Sequence, residues 1–552
     1  MNGLVRPAAI LGCLCLCLGL GLGLAPRPAW GQAGSSLILD RDRADRQPPA
    51  PVLRPKISAG VTTVANLAQP TSAFIIKAVQ LDGATAPRGV INEAFRPFIG
   101  QTGDAKLLGR LTDAAAAAYA QSDVALYTIL LPNQTFADGV VRMRVVEGYI
   151  QSIQIKADGG ARRDEALVRR LAATALHEHP LRKSTLQRAL LLIRDVPGLK
   201  AEAQLLRGNG PGAVVLQIAL TRRPFEVGIG ANNRGTAELG RTQVEVDLTA
   251  NSLFRPGDQT RFTVVVPTDV QRFQYYALSH SELLTDSGLT GSANIGYLTT
   301  RPASIPIHGT AETAGLGLSY PLIRSNVEGL VLTGSLDGVN SDNALFGQMI
   351  SSDHTRAVRG AIAYTRTLGK VTLAASATGS FGLDILGARV TSPLLSDQTF
   401  KKFNGRLGLD AKLAKTWTLR LRSIGQYSGD RLPPVEQIAL GGDEFGRAFE
   451  SAVIIGDSGG AGSAELAYSP APLPSLIKGS ELYGFIDGGK LWSQDRVILP
   501  ASSESLSSAG FGARLAVANK AMFQLEAAEA LVEPLPQGHD GWRVVFGYKS
   551  IY

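Results

Sequence analysis

The chain has 552 residues, of which 45% are hydrophobic and 18% are charged, and its formal net charge is +8. This composition excludes an intrinsically disordered chain, and the small charge excess does not indicate a nucleic-acid binder. The length predicts roughly two to four folded units. The 61 glycines suit a protein made of many strands and turns. The cysteines are confined to Cys13, Cys15 and Cys17, which excludes a disulfide scaffold, a Cys-ligated zinc site and a thiol nucleophile from the rest of the chain.

The N-terminal stretch predicts a secretory signal peptide. A positive charge at Arg6 precedes the uncharged apolar run 8–25, and small residues follow at Ala29 and Gly31. We therefore expect a signal covering residues 1–31, with cleavage after Gly31. A membrane anchor and a lipoprotein site at Cys13 are the weaker alternatives. Beyond residue 31 no apolar run reaches ~18 residues, so the exported chain is expected to be soluble or a β-barrel.

Residues 32–70 predict a polar linker, because the stretch 48–55 contains four prolines, which stiffen the chain and remove backbone donors. Residues 71–222 then repeat the order strand, helix, helix, strand, strand in two units, 71–148 and 149–222. In the first unit, the predicted strands are 74–81, 126–131 and 140–146, and the predicted helices are 91–98 and 107–120. In the second, the strands are 151–156, 201–206 and 213–220, and the helices are 164–175 and 184–195, the latter with Ser184 as its N-cap.

Residues 223–552 change character. Period-two alternation replaces the helical patterns, as in 417–422, where Trp417, Leu419 and Leu421 alternate with polar residues. Strands of ~10 residues are long enough to cross a membrane when they are tilted. Sixteen candidate strands begin near residues 225, 241, 259, 271, 289, 311, 328, 355, 371, 402, 417, 459, 479, 509, 521 and 541.

Two further features favour a membrane barrel over a soluble sandwich or solenoid. Aromatic residues near strand ends suit an interfacial girdle: Trp417, Tyr427, Tyr468, Tyr483, Trp542 and Tyr548. Short turns alternate with longer loops at 339–354, 383–401 and 428–458. The predicted fold is therefore mainly β, a sixteen-stranded antiparallel transmembrane β-barrel preceded by two small α+β units.

Two such units before a sixteen-stranded barrel resemble the two-partner secretion transporters, the haemolysin secretion/activation proteins, whose superfamily also contains outer-membrane assembly factors. The repeats resemble POTRA domains, and the resemblance covers 74–552. Residues 230–236 (Gly-Ala-Asn-Asn-Arg-Gly-Thr) are similar to the family's Asp-Asn-His-Gly-Ser barrel start, with Arg234 in place of histidine. Residues 251–258 (Asn-Ser-Leu-Phe-Arg-Pro-Gly-Asp) are similar to its Asn-Leu…Gly-Asp turn.

Two other motifs imply a lock for an inward-folded loop, 428–458. Residues 445–449 (Phe-Gly-Arg-Ala-Phe) resemble the family's Val-Arg-Gly-Tyr loop tip, with Ala448 in place of glycine. Residues 485–489 (Phe-Ile-Asp-Gly-Gly) resemble its Phe-x-Asp-x-Gly wall motif. The resemblance implies that Arg447 of the tip pairs with Asp487 of the wall, and that the lock also contains Gly446, Phe449, Phe485 and Gly489.

Strand alternation supports this geometry independently. Ile486 and Asp487 face opposite ways, so Asp487 faces the lumen if Ile486 faces lipid. An arginine–carboxylate pair in a confined lumen can be bidentate and less screened than a surface pair. The alternative is that Asp487 is one of many lumen acids and that Arg447 is a solvated loop residue.

The resemblance implies an outer-membrane translocation pore in a Gram-negative bacterium, which captures an unfolded exported protein with its periplasmic units. The physical route is β-augmentation at a sheet edge, and the expected region is 201–206 with helix 186–193. No G-x-x-x-x-G-K-[ST] motif is present, so the energy is expected to come from folding of the partner outside. Expected partners are a large β-helical adhesin, haemolysin or toxin, outer-membrane lipid, the barrel-assembly machinery and periplasmic chaperones, and no nucleic acid.

Enzyme chemistry is not predicted. His177 and His179 do not share a helix face, which disfavours a zinc site, and no catalytic residue, cofactor or metal is expected. Tyr552 ends an alternating aromatic strand and resembles the C-terminal signal recognised by the barrel-assembly machinery, with interface anchoring as the alternative. Two other functions stay open: a barrel-assembly factor of the same superfamily, which usually carries three or more POTRA units, and a passive porin or receptor.

Overall fold

The computed structural model describes residues 63–65, 74–497, 499–518, 520–534 and 541–552. The predicted signal peptide, and the predicted linker apart from 63–65, lie outside the described residues. None of the helices in these ranges is both long enough and apolar enough to cross a membrane.

The first α+β unit contains a four-stranded sheet of order β1-β5-β6-β3, with two helices packed against it. β1 pairs in parallel with β5 and covers that edge of the sheet, and β3 pairs in parallel with β6 at the other edge. The elements are β1 (Thr63–Ala65), β2 (Phe74–Ile75), β3 (Ala78–Asp82), α1 (Arg88–Phe95), a 3-10 turn (Arg96–Phe98), β4 (Thr102–Gly103), α2 (Ala105–Gln121), β5 (Tyr127–Leu130) and β6 (Val140–Glu147).

Helix α2 shows how the sequence builds this unit. Asp104 caps it, because its side chain accepts a hydrogen bond from the Leu107 amide at 2.6 Å. Leu107, Leu108 and Leu111 recur at helical spacing and are buried against the sheet. Near its end, the buried Tyr119 donates its hydroxyl proton to Glu147 of β6 at 2.8 Å. The helix is therefore fixed at both ends.

The second unit repeats this order around a three-stranded sheet, β7-β9-β8. Its elements are β7 (Tyr149–Ala157), a 3-10 turn (Arg162–Asp164), α3 (Glu165–Ala173), a 3-10 turn (Thr174–His177), α4 (Lys183–Asp195), β8 (Leu199–Arg207) and β9 (Ala213–Arg222). Leu186, Leu190 and Ile193 of α4 are buried in the core of the unit. Strand β8 lies at an edge of the sheet.

The prediction that Ser184 caps α4 is wrong. The helix begins at Lys183, and Arg182 stands at the N-cap position without a side-chain hydrogen bond. Asp123, which precedes β5 in the first unit, accepts hydrogen bonds from the Ser184 amide at 3.0 Å and from its hydroxyl at 2.7 Å. The cap therefore comes from a residue 61 positions away, which local sequence rules do not detect.

The remaining strands close into a sixteen-stranded barrel in which all neighbours are antiparallel and the last strand pairs with the first. The predicted fold class is confirmed. The barrel strands are β10 (Phe225–Asn232), β11 (Gln243–Asn251), β12 (Gln259–Pro267), β13 (Phe273–Leu283), β14 (Thr290–Thr300), β15 (Ile307–Arg324), β16 (Glu328–Leu345), β17 (Gln348–Leu368), β18 (Val371–Gly382), β19 (Lys401–Lys412), β20 (Trp417–Tyr427), β23 (Ser458–Tyr468), β24 (Glu481–Ser493), β25 (Ser502–Val517), β26 (Ala521–Val532) and β27 (Arg543–Ile551). Between β20 and β23, the short strands β21 (Ile438–Leu440) and β22 (Ile454–Gly456) form a separate hairpin.

The predicted loop 339–354 is wrong, because β16 and β17 run on through it. These strands have 18 and 21 residues and are joined by Phe346 and Gly347, whose φ angles are +48° and +80°. Two consecutive positive φ values are typical of a tight hairpin turn. The stretch is rich in Asn, Ser and Asp on both faces, a composition that resembles a loop, but cross-strand pairing holds it as a hairpin.

Outward-facing residues are large and apolar, as a lipid-facing wall requires, and examples are Leu248, Ile295, Leu316 and Ile486. Of the predicted aromatic girdle, Trp417, Tyr427 and Trp542 are exposed on this surface. Tyr483 does not belong to the girdle: only 4% of it is exposed. It shares the inward parity of Phe485 and Asp487 on β24, so its ring lies inside the barrel.

The second unit contacts the barrel end at which β10 begins. Arg324 at the end of β15 forms a bidentate ion pair with Asp195 of α4, at 2.6 and 2.8 Å. Asp164 and Arg222 are buried where the unit meets the turn 252–258, and the Ser252 hydroxyl donates to Asp164 at 3.4 Å. In that turn, Asp258 accepts hydrogen bonds from three successive amides, those of residues 253–255. Residues at this end of the barrel therefore bind the second unit through ion pairs and hydrogen bonds.

Candidate functional site

The segment 428–457, which joins β20 to β23, folds into the barrel. Its two short strands pair from Ile438 with Gly456 to Leu440 with Ile454. Beyond them, the tip places Phe445, Ala448 and Phe449 in one apolar cluster with wall residues that include Tyr483, Phe485 and Leu506. The tip of the loop is therefore buried against the wall and against the strands of its own hairpin.

The backbone of the tip is held by Asp487. The Gly446 amide donates to Asp487 Oδ1 at 2.7 Å, and the same oxygen accepts the Ser508 hydroxyl at 2.6 Å. Gly446 has a φ of +74°, and a β-carbon there would lie 2.7 Å from Leu506 Cδ1. Glycine is therefore required at position 446, whereas Ala448 is not among the residues with positive φ.

The side chain of Arg447 lies among three wall carboxylates. Its Nη1 is 3.0 Å from Glu465 Oε2 and 3.3 Å from Glu526 Oε2, and its Nε is 3.7 Å from Asp487 Oδ2. The predicted pair of Arg447 and Asp487 is thus in contact, but it has no hydrogen bond and is not bidentate. Glu465 and Glu526 supply the hydrogen bonds, while Asp487 contributes charge and holds the backbone.

Arg447 also lies on an aromatic face. Its guanidinium carbon is 4.1 Å from the centre of the Phe485 ring, which is a cation–π distance. Arg514 lies in the same way over Tyr483, at 3.8 Å. Two glycines of β25 leave room for these rings: a β-carbon would come within 2.7 Å of Phe485 at Gly510 and within 2.5 Å of the Tyr483 hydroxyl at Gly512.

The predicted residues Phe449 and Gly489 complete the packing of the tip. Phe449 is buried, and its amide donates to the Gly446 carbonyl at 2.9 Å. Gly489 lies on the wall beside the hairpin, where a β-carbon would meet Leu440 Cδ1 at 2.6 Å. The structure thus brings together all six residues of the predicted lock.

Sequence reasoning missed most of the charged residues around the tip. Glu465 also binds Arg420 at 2.8 Å and Arg514 at 2.7 Å, and Glu481 binds the same two arginines. Glu526 also binds Arg234 at 2.9 Å. The cluster therefore contains four arginines and four carboxylates: Arg234, Arg420, Arg447, Arg514, Glu465, Glu481, Asp487 and Glu526. Strand alternation could have placed Glu465 in the lumen, because its neighbours Ala464 and Leu466 are apolar and face the opposite side of the strand.

Two further anchors hold the base of the loop. Glu436 accepts from Arg359 of β17 at 2.8 Å and lies 2.9 Å from the Lys402 ammonium of β19. At the other end, the fully buried Asp457 forms a bidentate pair with Arg496, with both distances at 2.9 Å. The loop is therefore fixed to the wall at its base as well as at its tip.

Opposite the loop, the lumen retains a cavity of ≈150 Å³ between Ile438 and the wall of β14–β20. This volume has room for on the order of ten water molecules. Its lining includes hydroxyl and amide side chains, such as Ser292, Asn294, Thr378 and Asn404, together with charged and apolar residues. This cavity is the space that lies between the seated loop and the facing wall.

The comparisons with known proteins agree with this architecture. Residues 212–515 match the family model of the haemolysin secretion/activation protein ShlB/FhaC/HecB, and residues 74–148 match the POTRA domain, ShlB-type. The outer membrane transporter CdiB of Escherichia coli O6:K15:H31 is 25% identical over 492 residues, which is 86% of this chain and 80% of that protein. CdiB of Dickeya dadantii is 24% identical over 385 residues, 66% of each protein, so the match spans just under two thirds of that relative.

Among solved structures, CdiB from Escherichia coli has the same fold, with a TM-score of 0.72 and 19% identity over 96% of this chain and 100% of that one. The chain thus has a closed barrel with an inward loop, preceded by a POTRA-type unit and a second α+β unit. The family match identifies a protein of this architecture as an outer-membrane transporter with its N-terminal part in the periplasm. The chain belongs to the haemolysin secretion/activation protein family, the outer-membrane transporters of two-partner secretion.

The packing of Phe485 against Gly510 leads to a first prediction. In Gly510→Ala, the new β-carbon would meet the Phe485 ring and the Ala527 carbonyl, so the ring must move and Arg447 loses its platform. Overpacking of this kind costs ~1–3 kcal/mol, so trypsin should cleave after Arg447 roughly 5- to 150-fold faster in the purified barrel. Gly379→Ala is the control, since nothing lies within 4 Å of its β-carbon. Equal cleavage rates in the two variants would contradict the role of the glycine.

Proposed function

We propose that this protein captures an unfolded exported partner with its periplasmic units and passes it outward through the barrel, without hydrolysing a nucleotide. The observation that carries this proposal is the inward loop, which packs against the wall inside the barrel and is held there only by noncovalent contacts. A loop held in this way can be displaced by a chain that competes for the same space. A passive porin gains nothing from such a plug.

The edge of strand β8 supports the capture step. Gly208 donates its amide proton to Ala213, and Arg223 donates to Gly198, so even-numbered residues of β8 are bonded to β9. The backbone groups of Ala201, Ala203 and Leu205 therefore point away from the sheet. An extended partner segment can pair with them by β-augmentation, which demands little of its sequence. The helix region 186–193 contributes mainly core, because Leu186, Leu190 and Ile193 are buried.

The energetics follow from the compartment. The periplasm lacks nucleoside triphosphates, and the chain has no phosphate-binding loop motif, so the proposed transport uses no nucleotide. Folding of the partner at the cell surface would prevent its return and so give direction to the transport. If purified protein in liposomes required a nucleotide to move its partner, this part of the proposal would fail.

The partner is proposed to be a large β-helical adhesin, haemolysin or toxin. Relatives carry the names outer membrane transporter CdiB and hemolysin transporter protein ShlB, which supports a secreted protein as the cargo. Before reaching the pore, that chain crosses the periplasm, where chaperones would keep it unfolded. The barrel itself is proposed to be inserted into the lipid by the barrel-assembly machinery.

Deletion of the gene distinguishes this function from the alternatives. We expect one large secreted protein to disappear from the culture medium while the set of outer-membrane barrels stays unchanged. Loss of many barrels would instead indicate an assembly factor, and altered uptake of small solutes with unchanged secretion would indicate a porin or receptor. The protein that disappears is then the partner for the tests below.

Substitutions in the lock should reduce export. Arg447→Ala leaves the tip without its ion pairs and its Phe485 contact, so the loop would occupy the lumen in many positions, and export should fall at least about tenfold. Asp487→Ala should act similarly, and Asp487→Asn less severely, because an amide oxygen still accepts the Gly446 proton. Secreted partner and heat-modifiable barrel are both quantified on gels.

The control is Arg422→Ala, which removes an arginine that pairs with Asp410 of the neighbouring strand. We expect it to secrete normally. Barrel yield should stay near that of the wild type in all variants, since each change truncates one side chain and leaves the backbone hydrogen bonds between the strands in place. Normal secretion by Arg447→Ala would reject the lock.

Capture at β8 is tested at Ala203. Ala203→Pro removes an outward amide proton without removing a bond to β9, and proline is tolerated on an edge strand in this position. We expect the affinity of the partner for the purified full-length protein to fall about tenfold, measured by titration calorimetry. Ala203→Val keeps the amide and should bind as the wild type does. Equal affinities for both variants would show that the partner does not add a strand here.

Tyr552 is proposed to mark the barrel for assembly. The residue is 64% exposed, while its backbone exchanges two hydrogen bonds with Val227, at 2.9 and 3.2 Å. Tyr552→Ala keeps both backbone bonds, so a lower yield of inserted barrel in this variant would indicate recognition of the ring. If only deletion of residue 552 lowers the yield, the residue acts through strand pairing and the signal role is rejected.

A further inference from the structure

The seam between the first and last barrel strands is short. β10 and β27 share five paired positions, from Gly228 with Ile551 to Asn232 with Gly547, whereas the other described strand pairs of the barrel share seven or more. β10 ends at Asn232, which pairs with Gly547, whereas β27 already begins at Arg543. The outer end of β27 therefore lacks a strand partner on this side.

One side chain takes the place of that missing strand. Asn233 Nδ2 donates to the Val544 carbonyl at 3.0 Å, and Asn233 Oδ1 accepts the Phe546 amide at 2.8 Å. A carboxamide carries one acceptor and a donor group, so it can reproduce the two bonds of a paired residue. The backbone amide of Asn233 adds a longer bond to the Phe546 carbonyl, at 3.4 Å. Asn233 thus extends the ladder beyond the end of β10.

The next residue binds the inward loop. Arg234 donates from Nη1 to the Gly442 carbonyl at 3.3 Å, and its own carbonyl accepts the Ser451 hydroxyl at 3.3 Å. Gly442 and Ser451 lie on opposite arms of the loop, so Arg234 contacts both. Its Nη2 donates to Glu526 Oε1 at 2.9 Å.

Glu526 joins this contact to the tip. While Oε1 accepts Arg234, Oε2 accepts Arg447 at 3.3 Å and the Tyr483 hydroxyl at 2.8 Å. One buried carboxylate therefore holds an arginine of the barrel's first turn and the arginine of the loop tip. Adjacent residues, Asn233 and Arg234, connect the seam to the loop through this shared acceptor.

We propose that Asn233 and Arg234 form a latch, through which the outer end of the seam stays closed only while the loop is seated. When the tip leaves, Arg234 loses Gly442 and Ser451, and the neighbouring carboxamide of Asn233 is no longer held against β27. The coupling is reciprocal, so opening of the seam also releases the tip. The latch deepens the proposed loop displacement, and it acts in the isolated barrel, in which no partner is exported.

Hydrogen exchange of the full-length protein in lipid nanodiscs tests the latch. The ion-pair and ring partners of Arg447 lie on β23, β24 and β26, so Arg447→Ala removes none of these contacts from β10 or β27. We expect the Phe546 amide nevertheless to exchange at least about fivefold faster in this variant. In return, Asn233→Ala should speed exchange of the Gly446 amide, which Asp487 protects. Arg422→Ala should leave both amides unchanged.

The double variant Asn233→Ala/Arg447→Ala should exceed neither single variant by much at Phe546, because the two changes break one connection. Arg234→Lys keeps the charge but cannot bind Glu526 and Gly442 together, so it replaces Asn233→Ala if the latter fails to assemble. Faster exchange confined to 428–457 in Arg447→Ala would overturn the latch. Loss of export with wild-type exchange at Phe546 would retain the loop displacement and reject the latch.

Discussion

The arrangement of the lumen depends on the ion pairs of Arg447, whose side chain lies among the carboxylates of Glu465, Asp487 and Glu526. A guanidinium buried alone would be costly, but the cluster around the tip balances four arginines against four carboxylates. Balanced buried pairs add little net stability, while they define position sharply. The lock therefore selects one place for the loop, and it does so with contacts that a competing chain can replace.

Glycine and aromatic residues shape this place. Phe485 and Tyr483 can lie close to β25 because Gly510 and Gly512 carry no side chain, and the rings then contact Arg447 and Arg514. Gly489 makes room for Leu440 of the hairpin, and Gly446 permits the turn that presents its amide to Asp487. The high glycine content thus serves the packing of a plug against a curved wall as well as the turns of the barrel.

Much of the fold followed from the sequence, because alternation with period two is a direct consequence of strand geometry. The same parity placed Asp487 in the lumen, and motif resemblance identified Arg447. Glu465 and Glu526 were not identified, since they lie 18 and 79 positions from Arg447 and meet it only through the register of the closed barrel. The polar composition of 339–354 wrongly predicted a loop, because cross-strand pairing holds this stretch as a hairpin. The position of Tyr483 near a strand end wrongly predicted a girdle residue, because its side chain faces the lumen. The prediction that Ser184 caps α4 failed for a related reason: the capping carboxylate is that of Asp123, which belongs to the other α+β unit.

The central claim is that the loop rests at one position in the lumen and leaves it during export. The described barrel contains no cysteine, so spin labels can be placed at Asp443→Cys near the tip of the loop and at Lys415→Cys in the turn between β19 and β20. The distance between the labels is measured by pulsed electron resonance, at rest and with a partner jammed in the pore by a stably folded C-terminal fusion. A single narrow distance at rest that becomes longer or broad in the jammed complex is the predicted result. The same narrow distance in both states would contradict the account.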